Sequence, residues 1–290
     1  ALLRFSKRSY YNDDVFTGKA EIYNYSPSAL KNAKFKWWVT DADGKVLKSG
    51  KLKTQNIGNH GVFSAGEFSY ALNGITAPQK LTVHLSVNNT INNSWDIWVY
   101  PRRELKELMQ STADVLYTTV FDDRAKQFLK EGRKVVLCPM PAKVIGRSSN
   151  FHNHFWNPIM FNWNPMIVGT LIDNEHPAFR DFPTRNYADW QWWDILTHAK
   201  VIEMDEAPRQ LRPFIQVIDS YETNHKLGIG FEARIGNGKL MVLALDTKKE
   251  MEKRPATQQL LVSIDRYVKS DRFNPQVDVE ASFIESFLRK

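Results

Sequence analysis

DVLYTTVFDDRAKQFLKEGRKVVLCPMP, residues Asp114–Pro141, decides how the second half of the chain is read. Val115-Leu116-Tyr117 is a compact apolar run with the length of a strand. Asp123–Glu131 changes to a helical period through Ala125, Phe128 and Leu129, and Gly132 stands where a helix commonly ends on a left-handed residue. Val135-Val136-Leu137 is a second apolar run, closed by Cys138 and the Pro-rich Pro139-Met-Pro141. Strand, helix and strand in this order, with strands apolar along their whole length, predict a parallel α/β sheet. Further strands are expected at Met166–Leu171, Lys200–Met204, Phe214–Val217, Leu227–Ile235 and Leu240–Leu245. The Gly236-Asn-Gly238 turn between the last two predicts a hairpin at a sheet edge. Pro255 fits the first turn of a closing helix carrying Leu260, Leu261, Ile264 and Val268, and Val279–Leu288 is a short amphipathic tail helix.

Upstream of Pro101 the texture is different. Val15–Tyr25, Ala33–Thr40, Lys45–Leu52, Gly66–Leu72, Lys80–Val87 and Ser94–Val99 alternate apolar and polar residues, with Phe35, Trp37 and Val39 on one face. Asp41-Ala-Asp-Gly44 is a tight-turn signal between two of them. About seven short strands with no helical period predict an all-β sandwich. The expected organisation is therefore multidomain: a sandwich over 1–101, an α/β domain over 102–272, and a tail helix within 273–290. Arg102–Gln110 reads as a short helix between them.

The 290 residues suffice for two ordinary cores, and no apolar run approaches the roughly 18–20 residues of a membrane span. The start, Ala-Leu-Leu-Arg-Phe-Ser, is too short in its apolar part for a secretion signal and already reads as a strand, so Ala1 is expected to follow a cut or a processing event. Of the net charge of +7, the first 101 residues hold a surplus of +5, from 12 Lys/Arg against 7 Asp/Glu. Those lysines alternate through strands, as on a solvated sheet face, with no nucleic-acid recognition signature beside them. The single cysteine, Cys138, excludes an intrachain disulfide framework.

Five of the nine tryptophans, Trp156, Trp163, Trp190, Trp192 and Trp193, fall in Phe151–Trp163 and Ala188–Trp193, with Asp189 among them. Aromatic faces beside amides and carboxylates suit sugars, so these six residues are the candidate carbohydrate site. Rings packed over the sheet explain the same pattern, and the i, i+3 spacing of Trp190 and Trp193 predicts one buried helical face. His152 and His154, with Asp173 and His176, could be metal ligands, but no HExxH or paired CxxC accompanies them, and neither a metal nor a cofactor is expected. Cys138 follows a strand, as a hydrolase or amidotransferase nucleophile would. Its neighbours Leu137 and Pro139 do not suit the strained elbow such a nucleophile needs, and nothing ties His198 or Glu203 to it. Gly228-x-Gly230 and Gly236-x-Gly238 open no helix and make no phosphate cradle, and the sequons at Asn24, Asn88 and Asn92 matter only in a eukaryotic secretory setting. For glycoside hydrolysis Asp173, Glu175, Asp181, Asp189 and Asp205 are available, but the sequence pairs none of them.

NNSWDIWVYP (Asn92–Pro101), HPAFRDFPT (His176–Thr184), WQWWDIL (Trp190–Leu196), LGIGFEARIGNGKLMVLALD (Leu227–Asp246) and RPATQQLLVSIDRYVKS (Arg254–Ser270) form an ordered set covering nearly the whole chain. The set resembles the C-terminal region of bacterial, Bacteroidetes-type glycoside hydrolase family 2 proteins, the β-galactosidase-like enzymes. That resemblance implies an immunoglobulin-like sandwich followed by a flavodoxin-like domain similar to class I glutamine amidotransferases and to β-galactosidase trimerisation domains. It also implies that the catalytic glutamates belong to an upstream (β/α)₈ barrel, for which no eightfold pattern exists here, so no catalytic residue is carried onto this chain. The chain is then expected to be inactive alone, a periplasmic or extracellular accessory region. It would support the catalytic domain of the same polypeptide or its assembly into a homo-oligomer, with oligosaccharide as the other partner and no nucleic acid or membrane span. The readings weighed against it are a carbohydrate-binding module using residues 151–193 and an autonomous hydrolase.

Overall fold

Alternating apolar and polar residues, rich in β-branched and aromatic side chains, favour strands. The computed structural model is accordingly mostly β, 41% strand and 17% helix, spread over several sheets. It describes residues 1–104, 106, 108–151, 167–220 and 222–289. The chain divides into two compact units, Ala1–Arg102 and Arg103–Lys290.

The first unit contains β1 (Leu2–Arg4), β2 (Ser9–Tyr11), β3 (Val15–Asn24), β4 (Leu30–Ala33), β5 (Phe35–Thr40), β6 (Val46–Lys51), β7 (Gln55–Ile57), β8 (Gly61–Ala71), β9 (Gln79–Val87) and β10 (Ile91–Tyr100). They form a three-stranded sheet β1-β3-β8, a five-stranded sheet β2-β10-β9-β5-β6 and the small pair β4-β7. Residues of β5 alternate as the period demands: Phe35, Trp37 and Val39 are buried, whereas Lys36 is exposed and Trp38 half-buried. Trp37 stacks on Phe68 of β8 with ring centroids 4.3 Å apart, joining the two larger sheets through one core. The turn after β5 is held by Asp41, whose Oδ1 accepts the amides of Asp43 and Lys45, and by Gly44 at φ 82°. Asn88 and Asn89 turn β9 into β10 at φ 53° and 59°, a left-handed conformation that Asn tolerates.

The second unit contains β11 (Val115–Thr118), α1 (Asp123–Lys130), β12 (Lys134–Leu137), β13 (Gly146–Ser148), β14 (Ile167–Ile172), α2 (Trp192–Thr197), β15 (Lys200–Glu203), β16 (Ile215–Asp219), β17 (Leu227–Ile235), β18 (Gly238–Leu243), α3 (Pro255–Lys269) and α4 (Ala281–Ser286). The main path runs β11-β12-β18-β17-β15-β13, with β16 joined to β17 and β14 to β16. The expected parallel sheet is mixed. Among the described residues, only β11, β12 and β18 run parallel, and the strand pairings beyond β18 are antiparallel. The β17–β18 hairpin lies inside the sheet and not at its edge. Leu227–Phe231 is buried throughout, and a strand buried on both faces is stable where it has partners on both sides.

Local chemistry sets α1: the side chain of Asp122 accepts the Ala125 amide at 3.0 Å, and Gly132, at φ 76°, ends the helix. Its buried Ala125, Phe128 and Leu129 share a core with Val135, Leu137, Leu240 and Val242 of the sheet and with Phe283, Ile284 and Phe287 around α4. The alternate residues face the other way: Tyr117 donates to Asp265 and Glu232 accepts from Tyr267, both partners on α3. Helices therefore cover both faces of this sheet. At the sheet–α1 contact a Cβ on Gly238 would lie 2.4 Å from Leu129 Cα, backbone against backbone. Gly238→Ala is expected to destabilise this unit by about 3 kcal/mol, since neither atom can move without its element. Gly236→Ala, strained only by its φ of 57° with open space around it, should cost about 1 kcal/mol. Urea unfolding of the two variants checks the order.

Candidate functional site

In an α/β sheet the crevice beyond the carboxyl ends of the parallel strands is where ligands collect, because loops diverge there and leave backbone groups open. Here β11 ends at Thr118, β12 leads into Cys138, and the segment after β18 carries Thr247 and Lys248. These residues, with Thr119, Tyr117, Met109, Met251 and Leu261, line a cavity of about 500 Å³. Position alone would make Cys138 the nucleophile of such a site. Its backbone amide donates to Thr118 O at 2.8 Å, so the residue continues the strand ladder instead of turning sharply out of it. Cys138 is 4% exposed, and burial pushes its thiol up to about 12, against the opposing charge of Lys248. Among the described residues, no side chain hydrogen-bonds to its sulfur.

The other groups weighed with Cys138 are committed elsewhere. His198 Nδ1 lies 2.8 Å from Asp194 O and 3.3 Å from its carboxylate, and Glu203 pairs with Arg147 at 3.1 Å. Tyr117 donates to Asp265 at 2.6 Å, and burial first, then that carboxylate, raises its hydroxyl far above the usual range. A protonated, buried thiol without a base is not a nucleophile at neutral pH. Cys138 in the native chain is accordingly expected to resist iodoacetamide at pH 8 for hours and to react within minutes in urea. Rapid labelling of the folded chain, read by mass spectrometry, would contradict that.

Among the described residues, Trp190, Trp192 and Trp193 do not share one platform. Trp192 is fully buried, its Nε1 donating to Thr184 Oγ1 at 2.9 Å and its ring meeting Phe179 and Phe182 edge-on. Trp190 and Trp193 are each 51% exposed, and Trp190 lies 5.1 Å from Phe151. The expected burial of Trp190 with Trp193 is corrected: α2 begins only at Trp192, so Trp190 precedes the helix and the i, i+3 argument does not apply to it. Asp189, half-buried, supplies the backbone carbonyl that accepts the Trp192 amide. Trp156, Trp163, His152 and His154 lie outside the described residues.

His176 caps a short 3₁₀ turn at Pro177–Phe179, its Nδ1 accepting the Ala178 amide at 3.3 Å. That leaves its proton on Nε2, 3.6 Å from Glu232 Oε2, and the imidazole stacks on Phe214 at 4.6 Å. Among the described residues no group of three or more His, Cys, Asp or Glu could hold a metal ion. Among the candidate carboxylates, Asp181 pairs with Arg266 at 2.8 Å and Asp205 with His225 at 2.5 Å. The hydrogen bond from His225, then that from the Lys226 amide, lowers the Asp205 carboxyl below its ordinary range.

A second cavity, of about 530 Å³, lies on the first unit and went unmarked in the sequence. It occupies the outward face of the five-stranded sheet, where Trp38 stands beside Lys36, His84, Ser86 and Asn92. One signal was available: the residue between two inward-facing positions of β5 is an aromatic one.

No described helix is long and apolar enough to cross a membrane. Two family models match the sequence: the domain of unknown function DUF8487 over residues 116–289 and the domain of unknown function DUF8488 over 14–101. No curated protein matches. Among solved structures, a Parabacteroides merdae β-glucuronidase is similar over 47% of this chain and 20% of its own, with 16% identity and a TM-score of 0.25. A Paenibacillus cycloisomaltooligosaccharide glucanotransferase in complex with cycloisomaltoheptaose is similar over 47% of this chain and 19% of its own, with 10% identity and a TM-score of 0.29. A DNA-bound Pseudomonas fluorescens alkylpurine DNA glycosylase is similar over 34% and 29%, with 15% identity and a TM-score of 0.29. The chain thus spans less than a third of the length of each. These are weak, distant likenesses to parts of those proteins.

Proposed function

The chain belongs to the DUF8487 family, whose model covers more than half of it, and we propose that it is a non-catalytic accessory region acting in carbohydrate degradation. In this reading the first unit is an immunoglobulin-like sandwich, and the second is an amidotransferase-like scaffold whose nucleophile position has become a core residue. The observation that carries the reading is Cys138. It sits where strand chemistry would place a nucleophile, yet its thiol is buried, its amide is tied into the ladder, and its proton is held to about pH 12. The resemblance of the ordered phrases to β-galactosidase-like proteins suggests the setting: a glycoside hydrolase barrel in the same polypeptide, in the periplasm or outside the cell, with a part in packing against that barrel or in assembling copies of it.

An antibody raised against the chain tests this on the native protein. Immunoblotting should detect a polypeptide several hundred residues longer than the 33.6 kDa chain, and the immunoprecipitate should hydrolyse a p-nitrophenyl glycoside with an activity unchanged by Cys138→Ser. A native polypeptide of the chain's own size without glycosidase activity, or an activity lost in Cys138→Ser, would overturn the reading.

A further inference from the structure

We propose that the outward face of the five-stranded sheet is an oligosaccharide-binding site, with Trp38 as its platform. Strand register builds it. Lys36, Ser86 and Asn92 are cross-strand neighbours in one row over β5, β9 and β10, and Trp38, His84 and Ser94 are neighbours in the next. Strand and residue spacings make this grid about 10 Å by 7 Å, the footprint of one or two sugar rings. The His84 ring stacks on Trp38, 4.8 Å between centroids and 4° from parallel, and its Nε2 lies 3.1 Å from Thr40 Oγ1. The indole is therefore held upright and backed on one face.

The cavity lies on the His84 side of this stacked pair, over β9 and β10, and its polar groups suit hydroxyl recognition. Asn89 and Asn92 line the cavity, and among the described residues their side-chain amides have no hydrogen-bond partner, so each can both donate and accept. Asn93 is the exception, its amide bonding to Ala1 O and its oxygen accepting the Ser94 amide. Lys36 Nζ sits 5.4 Å from the Trp38 ring centroid, where a cation can be displaced toward an electron-rich sugar oxygen. No carboxylate lines the cavity. A single-stranded nucleic acid would need several aromatic rings in succession along a basic track, and this cavity holds one indole, one imidazole and one lysine. A stacked indole and imidazole flanked on one side by amides and hydroxyls match a sugar, whose C–H face is apolar and whose rim is hydroxyl.

The site is independent of the accessory reading, and each can fail alone. The 290-residue chain is titrated by calorimetry with cellohexaose, laminarihexaose, maltohexaose, β-1,4-galactohexaose and oligogalacturonate, and with a dT12 oligonucleotide. Binding of at least one hexasaccharide is expected, with Kd between about 10 μM and 1 mM. It should weaken at least tenfold in Trp38→Ala and about threefold to tenfold in Asn92→Ala, remain in Trp38→Phe, and be unchanged in Trp190→Ala. Circular dichroism verifies that each variant folds. The proposal is overturned by no binding of any sugar at 5 mM, by unchanged binding in Trp38→Ala, by loss of binding in Trp190→Ala instead, or by dT12 binding more tightly than every sugar through Trp38.

Discussion

Arg254→Ala is expected to destabilise the second unit by about 3–5 kcal/mol, because it strands a carboxylate that the fold has taken largely out of water. Arg254 is 3% exposed and sits immediately before α3. Its Nε lies 3.0 Å from both oxygens of Asp194, and its Nη1 donates to Asp246 O at 2.7 Å and Lys249 O at 3.3 Å. One guanidinium thus ties α2, the segment after β18 and the start of α3. Thr257 Oγ1 also donates to Asp194, at 2.7 Å, and it cannot replace the lost charge. Asp194→Asn retains shape and one acceptor and should cost less. The double variant Arg254→Met, Asp194→Leu should recover part of the loss, since an apolar pair leaves no unpaired charge. Urea unfolding of each variant measures this, and a loss below 1 kcal/mol in Arg254→Ala would show that the pair is not the fastening described.

Trp192→Ala should cost about 3–5 kcal/mol, the usual range for deleting a fully buried aromatic side chain. Its ring fills the space between Phe179 and Phe182, at centroid distances of 5.9 and 5.3 Å, and removing it also leaves Thr184 Oγ1 without its donor. Trp190→Ala and Trp193→Ala, at half-exposed positions, should each cost no more than about 1 kcal/mol. Thermal unfolding of the three variants separates them, and equal losses in all three would mean the rings form one packed cluster after all. The contrast also limits how the cluster can be probed. Lost sugar binding in Trp192→Ala would report unfolding, while Trp190→Ala and Trp193→Ala report on the surface.

Much of the secondary structure was legible because its causes are local. The period of two in Phe35–Thr40 and the helical period of Asp123–Glu131 closed by Gly132 act within a few residues, and the structure has β5 and α1 there. Leu137-Cys138-Pro139 already argued against a nucleophile elbow from backbone sterics alone. The sheet order was not legible, because Gly236-Asn237 dictates that β17 and β18 pair but not which strands pair with them next. Nor was the fate of each tryptophan: Trp190 precedes the helix and Trp193, within it, faces solvent, so neither has the burial that the i, i+3 spacing predicts.

What the sequence by itself determined is a chain of strands with few helices, the turns that reverse them, and a cysteine without the neighbours that catalysis needs. The tertiary structure alone decided how deeply that cysteine is buried, that Arg254 meets Asp194 from 60 residues away, and that Trp38 stacks on His84. Dihedral preferences and caps are properties of adjacent residues. Burial, charge pairing and cross-strand register are set by which distant segments share a surface, and no local period carries that information.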